Sequence, residues 1–265
     1  LGNLDLEFKL LSAVSCYLQC KIRIGDFTQA FCQSILPSNK RYIIRPPKDC
    51  PITPPQTYLD LRRTLYGLKR NPHHWYEKAK STLLAMGFMQ LPNSPCIFTK
   101  GPNKNKIYLG LYVDDFVYFS QNTKALRTFE TELKTRLNVD FEEDPKHFLG
   151  LKLDCTHNDK ETTVTISQPA TIDNLVENTN LGGHATTALR PYRSGYLVDK
   201  IPDEDPNSLP SFQQQQVIDE YQSIVGSLNW LANGSRPDIA TICCILSQYL
   251  HNAHTHHLQA AKQVV

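Results

Sequence analysis

The residues of this sequence best suited to chemistry are three aspartates: the adjacent pair Asp114 and Asp115, and Asp26 far upstream. The pair lies between Ile107–Val113 and Phe116–Phe119, two β-prone arms that predict a hairpin with the doublet as its two-residue centre. A hairpin that only had to turn would favour Asn-Gly or Asp-Gly at that point. Neighbouring carboxylates also repel unless a cation lies between them. Mg²⁺ suits such hard oxygens and completes its shell with waters and phosphates. Asp26 follows a stretch that alternates as a half-buried strand, with Ile22, Ile24 and Asp26 on one parity and Lys21, Arg23 and Gly25 on the other. A carboxylate on the inward face needs a charge or a metal to compensate it; otherwise the strand ends at Gly25 and Asp26 opens a turn. If the two strands are neighbours, three carboxylates converge on one sheet edge. That arrangement can hold two metals ~3.5–4 Å apart for in-line phosphoryl transfer. The alternative for the bare doublet is a solvated acidic turn.

The elements that must position these residues can be read in outline. A helix is predicted at the start, on Leu6, Leu10, Leu11 and Val14. Pro46, Pro47, Pro51, Pro54 and Pro55 make a rigid loop. A helix follows, with Asn71 as N-cap, Pro72 in the first turn, Gly87 at its close, and Trp75, Ala79, Thr82, Leu83 and Met86 inward. After the Asp114–Asp115 hairpin comes a helix that buries Leu126, Phe129, Leu133 and Leu137. A second hairpin is expected from Phe148–Leu153 and Thr163–Ile166, joined through His157–Glu161. Ser167 and Pro169 open a short helix with Ile172, Leu175 and Val176 inward. The Gln- and Pro-rich stretch 186–216 reads as a flexible connection. Two helices end the chain, one on Val217, Tyr221, Ile224, Val225, Leu228 and Leu231, the next opened by Pro237. Hairpins segregated from helices predict an α+β fold rather than a doubly wound parallel sheet.

Composition sets the outer bounds. The chain has 265 residues, 40% hydrophobic and 20% charged, with a net charge of +2, so it can bury a core and is not disordered as a whole. Bulk charge does not announce nucleic-acid binding, although a local basic groove is compatible with it. There is no apolar run long enough for a membrane span and no secretory leader pattern, so no membrane partner is expected. Both ends fall inside helical patterns, which reads as a segment cut from something larger. The 8 cysteines form no C-x-x-C pair, which argues against a structural zinc site and for a reducing compartment. His251, His254, His256 and His257 read as a polar loop before a last helix in preference to a metal site.

Five motifs in order resemble the reverse transcriptases of copia-type retrotransposons. Tyr112-Val113-Asp114-Asp115 resembles the YxDD hairpin, and Asp26-Phe27-Thr28-Gln29-Ala30-Phe31 resembles Asp-Val-Lys-Thr-Ala-Phe. Leu65-Tyr66-Gly67-Leu68-Lys69-Arg70-Asn71-Pro72, followed by Trp75-Tyr76, is similar to LYGLKQSP..WY. Phe148-Leu149-Gly150-Leu151-Lys152-Leu153 resembles FLGIEI. The run from Tyr221 through Val225-Gly226-Ser227-Leu228 and Arg236-Pro237-Asp238-Ile239 to Ala260-Ala261-Lys262 resembles the stretch ahead of that family's RNase H domain. The strand before Asp26 and the stretch 89–95 depart from the family pattern.

The resemblance implies a right-hand polymerase: residues 1–147 as palm with partial fingers, 148–185 as primer-grip hairpin and start of thumb, 186–216 as linker, and 217–265 as helical thumb or connection. It implies Asp26, Asp114 and Asp115 as metal ligands and catalytic residues. The Phe27 backbone would face a metal, and Phe31 would exclude a ribose 2′-hydroxyl. Tyr112 would lie near the primer end, Lys69 and Arg70 at backbone phosphates, and Phe148, Leu149 and Gly150 in the primer grip. For Lys69 and Arg70 a plain solvated role is the alternative, and for Phe31 a place in the core. Lys146 is a candidate for the family's late lysine.

The implied cofactor is Mg²⁺, two ions, with Mn²⁺ as substitute. The implied partners are RNA or DNA template-primer, deoxynucleoside triphosphates, and a polyprotein with integrase upstream and RNase H downstream. The implied location is cytoplasmic, in a virus-like particle, or nuclear. The family's basic fingers hairpin would precede Leu1, so the segment alone is expected to be weak. Two other readings stay open: an inactive or domesticated remnant that binds nucleic acid or a partner, and another palm-type enzyme such as a nucleotidyl cyclase. The latter explains the aspartates but not the motifs after residue 140.

Overall fold

Alternating apolar residues make strands and 3.6-period stripes make helices, and in the first part of this chain the two meet across a six-stranded antiparallel sheet. The computed structural model describes residues 4–39, 41–48, 50, 58–158, 160–179, 192 and 211–265. The chain divides into two units, Leu1–Leu149 with Asp154–Val164, and Gly150–Leu153 with Thr165–Val265.

The first unit contains helices α1 (Leu4–Tyr17), α2 (Asn71–Ala85) and α3 (Thr123–Arg136). Its strands are β1 (Arg23–Asp26), β2 (Ile43–Ile44), β3 (Leu59–Asp60), β4 (Met89–Leu91), β5 (Ser94–Lys100), β6 (Ile107–Tyr112), β7 (Asp115–Phe119) and β8 (Asp140–Glu142). Six of them form a sheet in the order β4-β5-β6-β7-β1-β8, every neighbouring pair antiparallel. One face of the sheet buries Leu109, Leu111, Phe116 and Tyr118 in a core shared with Trp75, Ala79 and Leu83 of α2 and Leu126, Phe129 and Leu133 of α3. α1 closes on the sheet at Gly110, where an added Cβ would come within 2.5 Å of the Leu11 side chain. Leu6 and Leu10 lie on its exposed side, and Phe8 and Leu11 face inward.

Three local expectations need correction. Arg23 and Gly25 were expected on a polar face, but both are buried, because β1 is an interior strand flanked by β7 and β8. Arg23 tolerates this by pairing with Glu130 at 2.8 Å and Glu143 at 2.9 Å. Asn71 does not cap α2: Arg70 holds that position, and the buried Asn71 amide donates instead to the Leu65 carbonyl. The β4–β5 hairpin after α2 was not anticipated, since the break between Gln90 and Leu91 spoils its alternation. The inward face of α2 and its close at Gly87, φ 85°, are as expected.

Strands β9 (His147–Phe148), β10 (Leu151–His157) and β11 (Thr162–Ser167) form a three-stranded sheet in the order β11-β10-β9. The expected arm Phe148–Leu153 is not continuous. Leu149 and Gly150 both have positive φ, 52° and 77°, as a tight primed turn between two strands requires.

Helices α4 (Pro169–Asn178), α5 (Ser211–Gly234), α6 (Ala240–Ser247) and α7 (Thr255–Val264) belong to the second unit. Gln168, not Ser167, is the N-cap of α4, and of the three residues expected inward only Leu175 is fully buried, while Ile172 is exposed. The glutamine run is helical, because Gln is a good helix former and Gln214 finds the Ala253 carbonyl at 2.6 Å. The expected connection therefore stops before residue 211, and apart from Tyr192 the rest of 186–210 lies outside the described residues. Beyond the two helices expected on 217–231 and after Pro237, the last helix expected after the histidine cluster is α7, and it opens inside that cluster with a reciprocal cap between His254 and His257. Tyr221, Val225, Leu228, Ile242, Leu246 and Ala261 form the common core of α5, α6 and α7. Among the described residues no helix is long and apolar enough to cross a membrane.

Candidate active site

The β6–β7 hairpin is displaced by one residue from its expected centre. Tyr112 and Asp115 are its closing Cα partners, so the turn residues are Val113 and Asp114 rather than the aspartate pair. Val113 has φ 48°, an outlying conformation for a β-branched residue, which persists only where neighbours over-determine it. They do so here. The Trp75 indole N–H donates to the Val113 carbonyl, and the Phe27 amide donates to the Asp114 carbonyl at 2.7 Å. The Tyr66 hydroxyl donates to Asp114 Oδ2 at 3.4 Å. One consequence of the shifted register is that the two adjacent aspartates differ in setting, Asp114 on the turn and Asp115 on a strand.

On that strand Asp115 faces Asp26 as its Cα partner across β1 and β7, and Asp26 in turn faces Asp140 across β1 and β8. Directly opposed residues keep their Cβ atoms about 4.5–5.5 Å apart and on one side of the sheet. Three carboxylates therefore share one rung, with the fourth on the adjoining turn. Asp26 is the last residue of the strand, not past its end, but it is exposed and shares the less buried face with Ile24, so the expectation of an inward-facing carboxylate is corrected: the inward parity is that of Arg23 and Gly25. Asp140 was missed, because its strand of 3 residues is too short for alternation to announce it.

Burial and, after it, charge repulsion raise all three carboxyls. Burial, then Asp26 and Asp114, pushes the Asp115 carboxyl up to about 6. Burial and then Asp140 raise Asp26. Burial and then Asp26 raise Asp114, against which the Tyr66 hydrogen bond works. Asp140 accepts from the Thr28 hydroxyl at 3.2 Å.

The other expected site residues fall in several settings. The Phe27 ring is core, edge-on to Trp75 at 5.0 Å and against Phe116 at 4.8 Å, so only its backbone can serve the site. Phe31 is partly buried in the short 3₁₀ turn Ala30–Gln33 and packs on the Tyr66 ring at 4.9 Å. Tyr112 is 39% exposed beside Asp115. Lys69 and Arg70 are exposed and line a separate basin with Leu36, Tyr42, Leu68, Asn71 and His74. Phe148 is buried against Phe8, ring centroids 4.9 Å apart, and Leu149 and Gly150 form the turn that follows.

The donor set suits a hard cation in part. Among the described residues Asp114 Oδ1 is buried with no hydrogen-bond partner, which a cation would satisfy. Also among the described residues, no three His, Cys, Asp or Glu side chains form a ready-made metal cage. Mg²⁺ does not require one, because it takes one or two carboxylates and completes its octahedron with waters and substrate phosphates.

Fold and site together define an α+β protein whose antiparallel sheet carries a rung of carboxylates beside a strained hairpin turn. A family model described as reverse transcriptase (RNA-dependent DNA polymerase) matches residues 4–192, and this chain belongs to that family. It is 30% identical over 246 residues to the Retrovirus-related Pol polyprotein from transposon RE1 of Arabidopsis thaliana, covering 92% of this chain and 16% of that protein. To the corresponding polyprotein from transposon RE2 it is 29% identical over 248 residues, with the same coverages. To the putative transposon Ty5-1 protein YCL074W of Saccharomyces cerevisiae it is 26% identical over 240 residues, covering 91% of this chain and 73% of that protein. The chain thus spans only 16% of each plant relative. These relatives agree with the copia-type resemblance of its motifs.

Proposed function

We propose that this chain is the RNA-directed DNA polymerase segment of a copia-type retrotransposon polyprotein, extending a primer on an RNA or DNA template with deoxynucleoside triphosphates. The observation that carries the reading is the rung on which Asp26 faces Asp115, with Asp114 held at the adjoining turn. In this reading the six-stranded sheet with α2 and α3 is the palm with part of the fingers, and the strands around Phe148–Gly150 are the primer grip. The helices from α4 onward are the thumb or connection.

Asp26, Asp114 and Asp115 hold two Mg²⁺, or Mn²⁺ in their place. The chemistry this pair supplies when bound is activation of the primer hydroxyl and neutralisation of charge on the phosphates. The chain's own residues do the rest. Phe31 bounds the space beside the sugar, Tyr112 lies near the primer end, the Phe27 backbone faces the metal side, and Lys69 and Arg70 meet template or primer phosphates. The proposed setting is a polyprotein with integrase upstream and RNase H downstream, in cytoplasmic virus-like particles or the nucleus.

The test is extension of a DNA primer on poly(rA) with Mg²⁺, by the chain alone and joined to the flanking segments of its plant relatives. Wild type is expected to extend and Asp114→Asn to lose extension. Extension that survives in Asp114→Asn removes that residue from the site; hybrid binding without any extension makes the chain a binding remnant.

A further inference from the structure

Tyr66 touches two members of the site at once. Its ring packs on Phe31 with centroids 4.9 Å apart, and its hydroxyl donates to Asp114 Oδ2 at 3.4 Å. The residue is 51% exposed, so burial of its ring does not by itself explain its place. A surface tyrosine with no duty would turn its hydroxyl to water, where hydrogen bonding is free of geometric constraint.

The backbone around it is braced. The Thr64 hydroxyl donates to the Phe31 carbonyl, and the Asn71 amide donates to the Leu65 carbonyl. Gly67, with φ 94°, turns the chain immediately afterwards. Both braces act on the two residues before Tyr66 and on Phe31, so the ring and its partner are held in one frame. Farther along the same segment, Trp75 secures the Val113 carbonyl, so one stretch of chain grips the hairpin turn at two points.

We propose that Tyr66 is a positioning residue that couples the sugar side of the site, at Phe31, to the cation side, at Asp114. The hydroxyl fixes the rotamer in which the Asp114 carboxylate meets a divalent cation. The ring backs Phe31 and keeps it from yielding to a ribose 2′-hydroxyl. This inference rests on the polymerase reading above.

Two substitutions separate the halves: Tyr66→Phe deletes the hydroxyl and keeps the ring, and Tyr66→Leu deletes both. Mn²⁺ binding to the chain without nucleic acid, followed by electron paramagnetic resonance, is expected to weaken roughly threefold to tenfold in both variants, the effect of one hydrogen bond. In primer extension, discrimination against ribonucleotides is expected to fall several-fold in Tyr66→Leu and to stay at the wild-type level in Tyr66→Phe. Equal Mn²⁺ affinity in wild type and Tyr66→Phe overturns the link to Asp114. Unchanged sugar discrimination in Tyr66→Leu overturns the link to Phe31. A wild-type chain that neither binds Mn²⁺ nor extends a primer overturns the polymerase reading and this inference with it. One that binds Mn²⁺ without extending overturns the polymerase reading and the Phe31 link that rests on it, and the metal titration then decides the Asp114 link alone.

Discussion

The indole of Trp75 donates its N–H to the carbonyl of Val113, so a core residue of α2 holds the turn on which Asp114 sits. A buried tryptophan needs a partner for its one donor, and a strained turn needs a fixed acceptor; each residue answers the other. The helix that fills the core thereby also sets the position of a carboxylate.

Trp75→Phe keeps most of the apolar volume and removes that bond. Unfolding by urea is expected to show a loss of about 1–2 kcal/mol from the missing bond and the smaller ring. In primer extension kcat is expected to fall while KM for the triphosphate changes little, because the displaced group is the carboxylate. An unchanged kcat would separate the turn from the chemistry.

The rung makes stability depend on pH. The Asp115 carboxyl, at about 6 against an ordinary 3.8, holds its proton more tightly in the folded chain than in the unfolded one. Its contribution is therefore complete below the unfolded value and lost as pH rises through about 6. Without divalent cations, thermal stability should fall across that window, and Asp115→Asn should flatten the fall. Added Mg²⁺ should stabilise most above the window, where the carboxylate is ionised. A slope identical in wild type and Asp115→Asn would refute the coupling.

Asp140 raises the Asp26 carboxyl, second to burial. Asp140→Asn should bring the Asp26 titration, followed by carbon NMR, part of the way back to its usual range. Full return is not expected, because burial is the larger cause and the substitution leaves it in place. No movement at all would mean that the two side chains point apart despite their register.

In the proposed polymerase, Phe31 would limit the space beside the sugar. Phe31→Val should raise ribonucleotide incorporation about tenfold or more, with deoxynucleotide kcat changed by a smaller factor. Unchanged sugar selection, together with lost stability, would return Phe31 to a packing role.

Much of this is legible in the sequence. The face of α2 that carries Trp75, Ala79 and Leu83 and the face of α3 that carries Leu126, Phe129 and Leu133 follow a strong helical period. The α+β class followed from hairpins kept apart from helices. The misses share a cause: tertiary partners override local pattern. Arg23 looks like a solvent residue until Glu130 and Glu143 appear from distant parts of the chain. The hairpin centre slipped by one because propensity disfavours Val at positive φ, and only Trp75 and Phe27 make it tenable. Asp140 lies on a strand of 3 residues, too short for alternation to announce, and its place opposite Asp26 is a fact of pairing alone. Tyr66 sat inside a recognisable motif, but nothing in the motif says where its hydroxyl points.

Gly25 lies one residue before Asp26, and a Cβ there would come within 2.2 Å of the Phe116 ring. That ring is fully buried among Phe27, Tyr118, Phe129 and Phe141, so it has nowhere to retreat. Phe116 in turn adjoins Asp115 on β7. Any side chain at position 25 must therefore wedge β1 and β7 apart at the very rung where Asp26 and Asp115 meet. On the polymerase reading proposed above, position 25 joins the aspartates as a place where one substitution would undo the site. A chain with all three carboxylates intact and an alanine at position 25 would keep its motifs and lose the rung that they build.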